Sequence, residues 1–177
     1  MKLFLSKFFI PAFFLALPSL LLSIYNLTHP QEFQYSGIYK YMSMIDFILS
    51  LLLMLFFVSR YRKTEVTGGN FTFKKLFSHA YRIVVVWAVL GFLVSVVVAY
   101  SFKEETKQLS EVALQVQVQE LINKKGAISA QEKQMFEQTS KIISNPLASS
   151  FSYAVAILFF GVIHCLIASA VFKEKSV

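Results

Sequence analysis

Asp46 and His164 are the two side chains of this sequence whose types could do acid–base chemistry inside a strongly apolar setting. Asp46 is the only formal charge within four apolar stretches, and an ionisable group so placed is a candidate proton carrier or a link in an ion path. Ser43, Asp46 and Ser50 recur at helical spacing, which puts them on one face as a polar strip toward a bundle interior. Depth argues for a structural role instead. Asp46 is about five residues from Tyr41, roughly 8 Å inside the end of its stretch, where water is near. Tyr100 and Tyr153 should lie at similar height and supply hydrogen bonds. His164 lies about thirteen residues into its own stretch, so it should sit roughly 12 Å deeper than Asp46 and out of its reach. Cys165 follows directly, but adjacent side chains on a helix point about 100° apart, so the pair does not converge on one metal ion. His164 is expected to hydrogen-bond across helices.

Other chemistry is sparse. There is no zinc-type cluster of His and Cys, no glycine-rich phosphate loop, no GxSxG turn and no pair of carboxylates in a plausible cleft. No enzyme activity, cofactor or metal is expected. The basic residues hug the ends of the apolar stretches, which also argues against nucleic acid.

The elements that position these residues are the stretches 8–27, 41–58, 83–102 and 151–172. A helix rises about 1.5 Å per residue and a bilayer core is roughly 30 Å thick, so ~20 apolar residues suffice to cross it. A hydrophobic share of 56% and a mean hydropathy of +0.59 exceed what 177 residues could hide in a soluble core. The sequence predicts one all-α membrane domain, a four-helix bundle with an extracytoplasmic helical hairpin between the third and fourth spans.

Charge sets the expected orientation. The segment 59–82 carries Arg60, Arg62, Lys63, Lys74, Lys75 and Arg82 against Glu65, and a short loop that basic resists translocation. It should be cytoplasmic, together with Lys2 and Lys7 at one end and Lys173, Glu174 and Lys175 at the other. The segment 103–150 balances six lysines with six glutamates and belongs on the far side. The first stretch resembles the start of a signal peptide, but its apolar run reaches Leu27, beyond the usual 7 to 15 residues, so a retained helix is expected. Pro11 and Pro18 should kink or loosen it.

Between the third and fourth spans, residues 104–124 favour helix, with Leu109, Val112 and Val116 at helical spacing. Lys124, Lys125 and Gly126 form a stop, and Ser129 with Glu132 forms a capping box that opens a second helix. That helix carries an apolar stripe of Met135, Phe136, Thr139, Ile142 and Ile143 before Asn145 and Pro146 end it. The hairpin, about 104–144, could close on itself or dock another envelope protein. Its first arm could run on from the third span.

On the basic side, Gly68, Gly69 and Asn70 suggest a turn, and Thr72 a cap for a helix showing Phe73, Leu76, Phe77, Ala80 and Val84 on one face. Lys74, Lys75, His79 and Arg82 flank that face, before the segment turns or runs straight into the third span, and the lysines and arginine either touch anionic membrane lipid or serve as a plain topology anchor. Two rows of small residues, Gly91, Ser95, Ala99 and Gly161, Cys165, Ser169, should let the third and fourth helices approach closely.

The order of these features resembles a small bacterial membrane family, domain of unknown function 4199. The resemblance rests on Ser59-Arg60-Tyr61-Arg62 closing the second span and Gly69-Asn70-Phe71-Thr72-Phe73-Lys74-Lys75-Leu76-Phe77 leading into the third. The charged helical insert, Asn145-Pro146 and the lysine tail complete it. It implies a Gram-negative inner membrane with the hairpin in the periplasm, and no defined activity. The function expected is that of a non-enzymatic accessory or scaffolding protein. The alternative is a small transporter or channel component, acting as an oligomer, with Asp46 in the pathway.

Overall fold

The computed structural model describes residues 5–28, 38–64, 72–143 and 145–173. Among them every regular element is helical: a π-helical turn at Leu5–Phe9, then α1 (Ile10–Thr28), α2 (Ile38–Thr64), α3 (Phe73–Ser101), α4 (Lys103–Lys125), α5 (Ala130–Ile143) and α6 (Pro146–Phe172). Among the described residues four helices are long and apolar enough to cross a membrane: Lys7–Tyr25, Met44–Thr64, Phe73–Ser101 and Pro146–Phe172. Two ends can be told apart, a basic end where α2 stops and α3 begins, and a hairpin end formed by α4 and α5. The Gly68 to Asn70 turn and Glu65 lie outside the described residues.

Local chemistry explains the boundaries. The π turn falls just ahead of Pro11, whose missing N–H and bulky ring disturb the usual pairing with the preceding turn. Thr72 caps α3 with extended backbone, its hydroxyl accepting from the Lys75 N–H at 3.4 Å. From there α3 runs unbroken, because 73–82 contains neither Gly nor Pro to stop it. The third helix therefore starts a full ten residues before the apolar stretch at 83, and its amphipathic beginning is part of the span helix. Phe102, at φ −121° and ψ 49°, separates α3 from α4, so the first hairpin arm is a distinct helix.

The hairpin turn follows its residues closely. Gly126 takes φ 78°, a left-handed cap with its N–H on the Ile122 carbonyl at 2.7 Å. The Ser129 N–H donates to Glu132 Oε2 at 2.9 Å, and the Glu132 N–H returns a bond to Ser129 Oγ at 3.2 Å. Lys125 Nζ reaches Glu132 Oε1 at 2.6 Å and ties the end of α4 to the start of α5. Lys125, and then the Ser129 backbone and hydroxyl, hold the Glu132 carboxyl down at about 2. Asn145 caps α6 rather than merely ending α5, accepting from the N–H groups of Leu147 and Ala148 at 3.0 and 3.3 Å, with Pro146 in the first turn. Met135 departs from the expected stripe: it is 67% exposed, while Phe136 and Thr139 are half-buried. The side chains of Leu109, Ile142 and Ile143 lie outside the described residues.

The bundle is organised around α3 and α6. Their seam is close because small residues occupy it. A Cβ on Gly161 would run into the Val84 side chain, and one on Gly91 would come within 2.6 Å of Ile157 Cδ1. Ser150 donates to Ser95 across the seam at 2.9 Å, and Ala99, Cys165 and Ser169 are buried. Helices α1 and α2 lay Ala12, Leu15, Met54 and Val58 onto this pair. The outward faces carry Phe13, Leu21, Leu52, Phe56, Val89, Leu93, Phe159 and Val171 in the open. So much exposed apolar surface has its counterpart in lipid, which marks a membrane protein.

Candidate functional site

Two polar regions stand out against this apolar frame. The first lies inside the bundle. Ser19 on α1 presents its hydroxyl to both carboxylate oxygens of Asp46 on α2, at 3.0 and 2.9 Å. One proton serves two acceptors, so the hydroxyl is shared between the carboxyl oxygens. Tyr153 on α6 turns its hydroxyl toward the same Ser19. Tyr100, expected beside the acid, is instead 56% exposed and points away from the bundle. The Ser43 side chain lies outside the described residues.

His164 completes the region from α6, fully buried. Its Nδ1 lies 2.6 Å from the Phe160 carbonyl, which can only accept, so Nδ1 carries the proton in the neutral ring. The other nitrogen, Nε2, faces the Ser50 hydroxyl at 3.0 Å and the Phe47 carbonyl at 3.1 Å. Ser50 shares its single proton between Nε2 and the Phe47 carbonyl, which it also meets at 3.0 Å. The rings of Phe47 and Trp87 wall the imidazole, with centroids 4.6 and 6.4 Å away. This corrects the expected depth. His164 meets α2 at the residue after Asp46 and at the residue one turn further on, so the two ionisable groups occupy neighbouring layers. The reason is stagger: α6 is shifted along α2 so that His164 faces Phe47 and Ser50, and a count along each helix alone does not register that shift.

A cleft of about 440 Å³ opens beside this cluster between α1, α3 and α6. Its wall is mainly apolar, with Ser19, Ser23, Ser95 and Tyr153 as polar points. Gly91 and Ala99 line it as well, so the small-residue row of α3 serves both the seam and the cleft.

The second polar region is at the basic end. A pocket of about 560 Å³ is lined by Lys7 ahead of α1, Tyr61 near the end of α2, and Lys74, Lys75, His79 and Arg82 on the opening turns of α3. Tyr61 and His79 stack face to face, 3.6 Å apart and 7° from parallel, and Phe8 tilts against His79 at 5.3 Å. Lys74, Lys75 and Arg82 were legible as a basic flank. His79 was legible beside them on the same helix, whereas Lys7 and Tyr61 were not seen as their neighbours, since only the packing of α1 and α2 onto α3 brings those two in. Likewise Ser19 gives no sequence signal beyond a hydroxyl in an apolar run.

No group of three His, Cys, Asp or Glu side chains that could hold a metal ion occurs among the described residues. A family model described as protein of unknown function (DUF4199) matches residues 6–174. No curated protein and no solved structure matches the chain.

Proposed function

The chain belongs to the DUF4199 family of proteins of unknown function, and from that premise we propose that it is a non-enzymatic accessory protein of the bacterial inner membrane. In this reading it crosses the membrane four times, with the basic end and both termini in the cytoplasm and the hairpin in the periplasm. The observation that carries the reading is how the interior polar groups are engaged. Asp46 bonds Ser19, and His164 bonds Ser50 and the Phe160 carbonyl, so they tie α1, α2 and α6 together. Groups committed to such bonds act as interhelical glue rather than as a reaction centre. The hairpin, braced by its caps and by the Lys125–Glu132 pair, carries Met135 outward, where an envelope protein would meet it. A photo-crosslinker placed at position 135 in native membranes should capture one partner in stoichiometric yield. Capture of nothing, or of abundant proteins at random, would contradict the docking role.

The cleft favours a second reading, a small transporter component acting as an oligomer. It reaches Ser19, whose hydroxyl holds Asp46, so a permeant group could approach the acid from that side. Asp46→Asn should then abolish flux in proteoliposomes, and unchanged flux would remove the acid from the pathway.

A further inference from the structure

We propose that the pocket at the basic end binds the phosphate of an anionic lipid headgroup. Among the described residues four cations line it, and they come from separate parts of the chain: Lys7 precedes α1, whereas Lys74, Lys75 and Arg82 open α3. Among the described residues none that lines it is acidic, and Lys74, Lys75 and Arg82 form no ion pair there, so this part of the lining is a positive concavity. Its floor is rigid. The stacked Tyr61 and His79 rings, with Phe8 against them, hold the walls from α1, α2 and α3 in register. The amino end of α3 also faces this region, and its first N–H groups favour an anion.

Position singles out lipid over a dissolved phosphate. The pocket sits where two candidate spans begin, at Lys7 and at Phe73. Beside it α3 carries a ladder of Phe73, Phe77 and Tyr81, stacked at 5.9 and 6.1 Å along one face, with Phe73 and Tyr81 exposed. Aromatic side chains in such a row settle at headgroup depth, so the cations next to them face the phosphate layer. A headgroup entering from that side would place its phosphate among the lysines and Arg82, with its acyl chains along the apolar outer faces of the bundle. Arginine suits a phosphate through paired N–H donors, and the lysines add point charge. This site is independent of the docking role of the hairpin.

The test uses the whole protein, stripped of lipid in detergent, with phosphatidylglycerol and phosphatidylcholine titrated separately and bound lipid read by native mass spectrometry. Phosphatidylglycerol should bind and phosphatidylcholine should bind far more weakly. Each cation removed should weaken phosphatidylglycerol roughly fivefold, so K74Q/R82Q should lose about twenty-five-fold and Lys7→Gln about fivefold. Lys74→Arg should retain binding. K103Q/K107Q, which removes two exposed cations at the hairpin end, should leave it unchanged. Thermal midpoints measured alongside should show every variant folded, since all these side chains reach solvent.

Equal loss in K103Q/K107Q would reduce the effect to overall charge and overturn the site, as would equal binding of the two lipids. Retained binding in Lys7→Gln would reduce the site to a plain flank of α3 and overturn the pocket. Inorganic phosphate that displaces phosphatidylglycerol at micromolar concentration would assign the pocket to a soluble anion and overturn the lipid.

Discussion

Inside the bundle, Asp46 and His164 find their partners within the chain, in Ser19, Ser50 and the carbonyl of Phe160. At the basic end, Lys74, Lys75 and Arg82 form no ion pair among the described residues and surround an open pocket. The contrast follows from solvent. A polar group in hydrocarbon must be satisfied by protein or it costs several kcal/mol, whereas a lysine at the membrane surface has water and headgroups within reach. Polarity in the interior therefore holds helices together, and polarity at the end remains free to meet something else.

That contrast breaks most readily at His164. Replacing it by Ala should cost about 3 kcal/mol of bundle stability, from the void left by a fully buried ring and from lost bonds to Ser50 and the Phe160 carbonyl. K74Q/R82Q should cost less than ~0.5 kcal/mol. Thermal unfolding in detergent measures both, and equal costs would erase the distinction between the regions.

The seam sharpens the comparison, since there the interior tolerates no added atom. Gly161→Ala should destabilise by roughly 1 to 3 kcal/mol, because its Cβ meets the branched Val84 side chain near the backbone. Gly91→Ala should cost less, as it meets the terminal methyl of Ile157, which can swing aside. Midpoints in the reverse order would show that the seam packs differently.

The smallest effect belongs to the exposed hairpin. Glu132 titrates at about 2 in the folded protein against an ordinary 4.5, so its folded value is depressed. The stability it adds is fully present above pH 4.5 and is lost as pH falls toward 2. Helical content of the hairpin should decline across that window, and Glu132→Gln should flatten the decline. Solvent screens this pair, so the change should be slight beside those in the bundle.

The apolar runs made the four long helices legible, and Gly126, Ser129 with Glu132, and Asn145 with Pro146 marked the breaks between them. Such signals are local, written in residues a few positions apart. What stayed hidden depends on how helices slide against one another. The cap at Thr72 was legible, but whether the helix it opens runs straight into the third span was not, because hydropathy reports where lipid begins and a helix can begin earlier. His164 seemed too deep because the stagger of α6 against α2 has no signature in either helix alone. Asp46 was conspicuous as a lone charge, yet its partner Ser19 was an ordinary hydroxyl, and Tyr100 had the right height and the wrong face.

The account places the basic pocket and the hairpin on opposite sides of one membrane. Cys165 is the sole cysteine and is buried, so it provides a silent background for cysteines introduced singly at Lys74 and Met135, both exposed. Spheroplasts treated with a membrane-impermeant maleimide should label position 135 and leave position 74 unlabelled until the membrane is opened with detergent. Labelling of position 74 in intact spheroplasts, or of both positions alike, would contradict it.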